Sequence, residues 1–291
     1  MVPSFLAEQT SIWYTKNARD LPWRHEGVGA WAILISEVML QQTPVSRVLP
    51  VWQEWVERWP TPADLAAQPA GEAIRAWGRL GYPRRAMRLH ECAVALVERH
   101  GGRVPDRLEM LLALPGIGDY TARAVLSFAF GQRHPVVDTN VRRVVARVCH
   151  GVEDRAIGLS EVAQLLPHED SDAALASAAL MELGAVVCSA RAPKCGLCPV
   201  AAACEWKRLG APAPDKPYRR PQTYAGTDRQ VRGLLLAVLR DSAGPVPKQR
   251  LDVVWQDSTQ RERALRSLLK DGLVQAQSPD VFLLPNRTSA Q

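Results

Sequence analysis

Long apolar runs are missing from this sequence: no window of 18 residues is free of polar side chains, so no transmembrane helix is predicted. The N-terminus has no basic segment followed by an apolar run, which predicts the absence of a secretory signal. Cysteine is scarce as well, with six residues in 291, too few for a disulfide framework. Together these absences predict a reducing, cytoplasmic setting and no membrane partner.

Acidic side chains are in the minority, since 30 Asp and Glu stand against 36 Lys and Arg and the formal net charge is +6. This is the sign expected of a protein that binds nucleic acid, although an ordinary basic soluble protein has it too. Hydrophobic residues make up 47% of the 291, enough for two compact domains or three.

Four of the six cysteines lie in one short segment with the spacing C-x6-C-x2-C-x5-C: Cys188, Cys195, Cys198 and Cys204. Four thiolates so close in sequence can hold a metal ion or an iron–sulfur cluster. Structural zinc sites usually pair two short Cys-x2–4-Cys units across a longer gap, whereas here a single C-x2-C is flanked by longer spacers. The spacing by itself leaves both kinds of site open.

Alternating strand patterns are absent until the C-terminus, and helical periods dominate before it. The predicted helices cover 31–40, 47–58, 63–67, 71–78, 84–99, 107–113, 119–130, 140–149, 159–166 and 172–187. Prolines and cations predict an extended basic linker over 207–227. Three more helices, 228–241, 248–255 and 259–270, and a hairpin around Ser278-Pro279-Asp280 predict a winged-helix-like module over 228–291. The predicted fold class is all-α with a small C-terminal α+β module.

The sequence LPGIG, with Gly116 and Gly118, stands between two predicted helices. Two glycines at this spacing allow a tight turn, and a turn at a helix N-terminus can bind a phosphate through backbone N–H groups. The motif is typical of helix-hairpin-helix elements of DNA repair proteins. A plain helix–helix turn is the alternative.

Two carboxylates stand in unusual surroundings. Glu37 interrupts an otherwise apolar helix, where burial would raise its pKa and suit a general acid, or where a neighbouring arginine would pair with it. Asp138 follows the apolar run Pro135-Val136-Val137 and precedes the predicted helix 140–149, where it can be a helix N-cap.

Taken together, these motifs resemble the A/G-specific adenine DNA glycosylases, the MutY family of the helix-hairpin-helix superfamily that includes endonuclease III. The resemblance runs from Ile12 to Cys204, and its matching segments are WY at 13–14, RDLPWR at 19–24, SEVMLQQT at 36–43, LGY at 80–82, LPGIG at 114–118, VDTNV at 137–141 and MELGA at 181–185. It implies a six-helix module over 24–132, a cluster module formed by 1–23 with 133–206, and a [4Fe–4S] cluster on the four cysteines in place of zinc.

The resemblance also implies roles for individual residues. Glu37 would protonate adenine at N7, and Asp138, positioned by Asn140, would stabilise the positive sugar. Relatives that cleave the DNA strand have a lysine at the position of Tyr120, and a phenol cannot form an imine, so a mainly monofunctional glycosylase is expected.

Base extrusion would bring Gln42 and Tyr82, with the neighbouring Thr43, into contact with DNA. Arg19, Leu21, Trp23 and Met181 would line the adenine pocket. Each of these four has an ordinary alternative, since Leu21, Trp23 and Met181 are plausible core residues and Arg19 can pair with a carboxylate.

Two departures from the family pattern stand out. Ala178 replaces a Glu or Gln that hydrogen-bonds the base, and about 65 residues after Thr227 are too few for the β-rich domain that recognises 8-oxoguanine. The short C-terminus resembles that of actinobacterial members. We therefore expect a monomeric, nucleoid-associated enzyme that removes adenine opposite 8-oxoguanine or guanine from double-stranded DNA. A thymine or uracil mismatch glycosylase and a non-catalytic iron–sulfur DNA-binding protein are the alternatives.

Overall fold

The computed structural model describes residues 2–213 and 223–286, and most of them are helical. In chain order the α-helices are α1 Val2–Asn17, α2 Ala30–Leu40, α3 Val45–Arg58, α4 Pro62–Ala66, α5 Ala70–Trp77, α6 Arg84–His100, α7 Leu108–Leu112, α8 Asp119–Phe130, α9 Thr139–His150, α10 Leu159–Leu165, α11 Asp170–Val186, α12 Glu205–Arg208, α13 Asp228–Arg240, α14 Lys248–Asp252 and α15 Ser258–Lys270. Every predicted helix is confirmed, although α14 ends three residues before the predicted end at Trp255.

Helix α1 was missed from the sequence because its apolar residues do not recur on one side. Leu6 and Ala7 are buried, whereas Phe5 and Ile12 are exposed. The start of the predicted linker differs as well, since Lys207 and Arg208 belong to α12. Residues 214–222, the central part of that linker, lie outside the described residues.

The chain divides into two compact units that interleave along the sequence. One unit takes the described residues of Met1–Ile33, Asp106–Leu112 and Gly118–Arg219, and the other those of Leu34–Pro105, Ala113–Ile117 and Arg220–Gln291. The first unit therefore contains α8 as well as the cysteine segment. The domain limits taken from the family resemblance stay a prediction.

In the first unit, α11 packs against α1 and α9, and the shared core is aliphatic. Helix α9 begins where Asp138 caps it and ends at Gly151, whose φ of 71° closes the helix in the left-handed conformation. The fully buried side chains between these helices include Leu6, Val141, Val144, Val145, Ala176, Leu180 and Leu183.

In the second unit, three tryptophans anchor the packing of α3 and α5. The ring of Trp55 meets Trp59 at 4.8 Å and Trp77 at 5.5 Å, both edge to face. Helix α4 starts with a capping box in which Thr61 and Asp64 exchange hydrogen bonds.

The C-terminal residues form the predicted winged-helix-like module and pack within the second unit. The order is α13, β1 Val246–Pro247, α14, α15, β2 Gln275–Ser278 and β3 Val281–Leu283, with β3 central and antiparallel to both neighbours. Val246 and Ala276 both pair with Phe282, and a bulge follows Ala276. The end of the module lies on α5, where the Gly71 amide donates to the Pro285 carbonyl at 2.7 Å.

No helix in the described part of the chain is long and apolar enough to cross a membrane.

Candidate active site and cysteine cluster

Glu37 lies in the second unit, inside the apolar helix α2. Its side chain is 5% exposed and its helical neighbours Ile35, Val38 and Met39 are buried. A helix that is apolar all round is buried in a protein core, so the carboxylate is carried into the interior with it.

Asp138 lies in the first unit at the N-terminus of α9. One carboxylate oxygen accepts from the Val141 amide at 2.7 Å, and the other accepts from the Asn140 side-chain amide at 2.7 Å. Burial raises the pKa of Asp138, whereas these hydrogen bonds act in the opposite direction. Asp138 is therefore the predicted N-cap of α9, and its carboxylate lies in a largely desolvated place.

Asn140 is held from its other side by Arg143. The Arg143 guanidinium donates to the Asn140 side-chain oxygen at 2.8 Å, to the Gly184 carbonyl at 2.6 Å and to the Cys188 carbonyl at 2.6 Å. A continuous run of hydrogen bonds thus joins Asp138 to the beginning of the cysteine segment. Gly184 is required for this approach, since a Cβ there would lie 2.6 Å from the Cβ of Asn140.

Tyr120 and Met181 are brought together on α8 and α11, with the Tyr120 hydroxyl 3.5 Å from the Met181 sulfur. Met181 is partly buried, and Ala178 lies one turn earlier on the same helix. Leu21 and Trp23 are both buried, at 5% and 6% exposure.

Arg19 pairs with a carboxylate that the sequence reasoning did not single out. Its guanidinium donates to Glu182 at 2.6 and 2.8 Å, and Arg24 donates to the same carboxylate at 2.9 Å. Burial alone would raise the pKa of Glu182, but the two arginines lower it to about 2. The signal was present in the sequence, because Glu182 interrupts the apolar helix α11 in the MELGA segment.

The predicted DNA-contacting residues of the second unit lie in two turns. Gln42 and Tyr82 are exposed and have positive φ values, 55° and 48°. Thr43 is buried instead, and its hydroxyl accepts a hydrogen bond from Arg85 at 2.9 Å.

The LPGIG segment forms the predicted turn between α7 and α8. Gly116 has φ of 76°, and a Cβ on it would lie 2.7 Å from the Cβ of Arg88. Gly118 is the N-cap residue of α8 and lacks a side chain to bond the first amides. Those amides are the groups that a helix N-terminus offers to a phosphate.

The four clustered cysteines line one cavity, together with Val144, Leu183, Val187, Arg147 and Trp206. None of the four forms a disulfide. Burial, followed by the charges of the other three thiols, raises the pKa of Cys198 to about 11. Thiols with raised pKa values ionise near neutrality only beside a compensating cationic group, and a set of four such donors in one cavity fits a thiolate-bound iron–sulfur cluster. Within the described residues, no three His, Cys, Asp or Glu side chains form a group that could hold a metal ion.

Arg147 lies beside this cavity and is almost fully buried. It donates to the Cys188 sulfur at 3.4 Å and to the Ser189 and Ala190 carbonyls at 2.8 and 2.9 Å. Its guanidinium also stacks on Trp206 at 4.5 Å. Arg147 therefore supports the loop that carries the first cysteine.

Residues 35–167 match the family model described as HhH-GPD superfamily base excision DNA repair protein. The chain is 58% identical over 276 residues to the adenine DNA glycosylase of Mycolicibacterium smegmatis, covering 94% of this chain and 93% of that protein. Among solved structures, it resembles a thermostable thymine-DNA glycosylase with a TM-score of 0.64 and 28% identity, over 71% of this chain and 97% of that one. A trapped endonuclease III–DNA intermediate matches with a TM-score of 0.60 and 26% identity, over 71% and 96%.

Proposed function

Because this chain belongs to the adenine DNA glycosylases of the HhH-GPD superfamily, we propose that it removes adenine standing opposite 8-oxoguanine or guanine in duplex DNA. Membership makes it a base excision repair enzyme, a DNA N-glycosylase that acts on adenine and has DNA as its partner. The identity of the base opposite adenine and the roles of individual residues go beyond family membership and are proposed.

The contrast between Glu37 and Asp138 supports the proposed chemistry. Departure of adenine leaves positive charge on the sugar and negative charge on the base, so one group must donate a proton and another must remain anionic. Glu37, in an apolar helix, is suited to hold a proton and give it to N7. Asp138 accepts two hydrogen bonds that favour its anion, so it is suited to stabilise the sugar cation.

Single-turnover assays with saturating enzyme test these roles. Glu37→Gln and Asp138→Asn should each slow adenine release by at least about 100-fold, the usual contribution of one positioned acid or base. Glu98→Gln, an exposed glutamate on α6, is the matched control and should retain the wild-type rate. Wild-type rates in both active-site variants would contradict the assignment.

The opposite base is tested with duplexes containing 8-oxoG:A, G:A, C:A, G:T and G:U pairs, each followed by alkaline cleavage. We expect release from 8-oxoG:A and G:A only. Release of thymine or uracil opposite guanine would instead favour the second candidate function. That candidate is supported by the similarity to a thymine-DNA glycosylase and by Ala178, which cannot hydrogen-bond a base.

Tyr120 makes the enzyme a mainly monofunctional glycosylase in this proposal. The phenol next to Met181 offers no amine to attack the sugar. Borohydride should therefore trap no covalent enzyme–DNA adduct, and strand breaks should appear only after alkali. An adduct formed in amounts equal to the product would contradict this part of the proposal.

The cofactor that we propose is a [4Fe–4S] cluster held by Cys188, Cys195, Cys198 and Cys204. Such a cluster would fix the loop between these residues, and bond cleavage would remain with the carboxylates. All four thiols line one cavity, which supports a shared ligand, and the resemblance of their spacing to that of the glycosylase family favours the cluster over zinc.

Iron and acid-labile sulfide analysis of the purified protein tests the cofactor. We expect both elements and a broad visible absorption band, lost in Cys198→Ser and retained in Cys92→Ala, whose thiol lies outside the cavity. Bound zinc without iron would contradict the cluster.

The remaining parts of the proposal concern assembly. We infer that the enzyme acts as a monomer on DNA of the nucleoid. Light scattering with and without duplex DNA measures the number of copies in the complex.

A further inference from the structure

Arg85, in the first turn of α6, makes an unusual number of contacts with other parts of the second unit. Its guanidinium donates to four backbone carbonyls and one hydroxyl. The acceptors are the carbonyls of Val38 and Met39 at 2.9 Å, of Gln41 at 2.7 Å and of Gly81 at 3.1 Å, and the Thr43 hydroxyl at 2.9 Å. The side chain therefore joins the end of α2 and the turn after it to the turn before α6.

These contacts surround two backbone conformations that side chains rarely adopt. Gln42 lies between two of the acceptor residues and has φ of 55°, and Tyr82 follows a third and has φ of 48°. A non-glycine residue in the left-handed region is costly and persists only where surrounding contacts enforce it. At both turns the enforcing contacts include hydrogen bonds from Arg85.

The conformations also expose the two side chains. Gln42 is exposed and Tyr82 is 51% exposed, although a tyrosine ring is largely apolar. The Arg85 guanidinium lies 5.6 Å from the centre of the exposed Tyr82 ring and 5.1 Å from the centre of the buried Trp77 ring, so it contacts both.

The forked guanidinium of arginine is better suited than other side chains to donate hydrogen bonds to both turns. Arginine presents donors in a rigid plane, whereas lysine has one nitrogen on a flexible stem. Burial lowers the pKa of Arg85 to about 10, which still leaves it charged near neutrality. A lysine here would reach some of the acceptors but not both turns together.

We propose that Arg85 is a positioning residue for DNA entry: it holds the Gln42 and Tyr82 turns in the conformations in which these two side chains penetrate the duplex beside the extruded base. The inference rests on the proposed function, in which Gln42 and Tyr82 are the residues that enter the stack. Arg85 acts through them.

The first test follows insertion directly. A duplex carries a fluorinated, non-hydrolysable adenosine opposite guanine and 2-aminopurine as the neighbouring base, whose fluorescence rises when stacking is broken. Arg85→Lys and Arg85→Met should each bind this duplex but lose most of the fluorescence rise. They should also slow single-turnover adenine release by about 10- to 100-fold, the cost expected of small misplacements. Arg99→Met, on the same helix with an exposed side chain, should match wild type in both measurements.

A mutant cycle separates positioning from a purely structural role. In a Gln42→Ala, Tyr82→Ala background, Arg85→Lys and Arg85→Met should add little to the loss of rate, because the residues they act through are gone. Loss by the same factor in both backgrounds would overturn the inference. Circular dichroism and thermal unfolding verify that each variant is folded at the assay temperature. If Arg85→Met is unfolded there, the test is made with Arg85→Lys alone.

The same cycle identifies a failure of the proposed function. If Gln42→Ala and Tyr82→Ala leave both the fluorescence rise and the rate unchanged, these residues do not enter the duplex, and the inference about Arg85 falls with them. If they abolish the rise while both Arg85 variants retain it, the proposed function stands and the inference alone is wrong.

Discussion

Among single residues, Asp138 combines in the proposed mechanism a structural and a chemical task that place opposite demands on its side chain. As the N-cap of α9, it needs only an oxygen that accepts the Val141 amide. As the group that faces a positive sugar, it must be charged, although burial raises its pKa. The hydrogen bonds from Asn140 and Val141 stabilise the ionised carboxylate and partly offset the effect of burial on its pKa.

Replacing this carboxylate should separate the two tasks. The pKa of folded Asp138 is raised, so its ionisation disfavours the folded state, with no cost at low pH and the full cost once pH exceeds the folded pKa. Asp138→Asn keeps the cap and removes the charge. We expect a thermal unfolding midpoint at neutral pH equal to or above that of wild type, a difference that shrinks in acid, and a rate lower by at least about 100-fold.

A midpoint for this variant well below wild type at neutral pH would contradict the expectation. Asp119→Asn is the matched control, since it removes an exposed carboxylate from the first turn of α8.

Glu182 shows the opposite electrostatic situation. It is fully buried, and Arg19 and Arg24 lower its pKa to about 2. A lowered pKa stabilises the folded state above the ordinary carboxyl pKa, and this stabilisation is lost as pH falls towards 2.

Glu182→Gln should therefore destabilise the protein by about 3 kcal/mol at neutral pH, because the arginines lose a buried partner. The difference from wild type should decrease in acid. Chemical denaturation at several pH values measures it, and a difference independent of pH would mean that packing rather than charge is responsible.

At the scale of helices, the crossing of α9 and α11 decides where Asn140 lies. The two helices meet at Gly184. A Cβ added to Gly184 would lie 2.6 Å from the Cβ of Asn140 and 2.8 Å from the Asn140 carbonyl oxygen. Close packing transmits a change at such a point to the residues on both helices. Arg143 depends on the same crossing, since it bonds Asn140 and Gly184 together.

Gly184→Ala should separate α9 from α11 locally and disturb the Asn140–Asp138 pair. We expect a loss of stability of about 1–3 kcal/mol from overpacking, together with a slower glycosylase step. Gly244→Ala, where a Cβ would meet nothing within 4 Å, is the control and should alter neither. Unchanged kinetics in Gly184→Ala would show that the helix crossing does not govern the catalytic residues.

At the scale of the whole molecule, the positive balance of the chain sets its relation to DNA. The net charge of +6 comes with exposed cations, and each phosphate that they neutralise releases counterions. The logarithm of the affinity for duplex DNA should therefore fall linearly with the logarithm of salt concentration, by about 0.9 for each phosphate contacted.

Fluorescence anisotropy over a range of salt concentrations gives this slope. Arg85→Met should leave it nearly unchanged, because Arg85 donates to the protein's own carbonyls. A slope near zero for the wild-type protein would contradict electrostatic binding to the backbone.

Features that depend on short stretches of chain could be predicted before the fold was seen. The helices other than α1 and α12 follow from periodicity and capping, the turn before α8 from two glycines, and the candidate cluster from four cysteines within 17 residues. Membership in the glycosylase family follows from such short motifs as well, since each is complete within one segment. The winged-helix-like order of helices and strands near the C-terminus was also predicted from the sequence pattern.

Contacts between residues far apart in the chain became visible only in the folded protein. Nothing in the sequence selects Glu182 as the partner of Arg19, 163 positions away, or directs Arg85 to the turn after α2, more than 40 residues before it. The fold also buries Thr43, whose hydroxyl accepts a hydrogen bond from Arg85, although the neighbours of Thr43 in sequence are exposed. The reason is physical: periodicity fixes the face that a residue occupies, whereas the partner of a buried charge is fixed by how the helices pack.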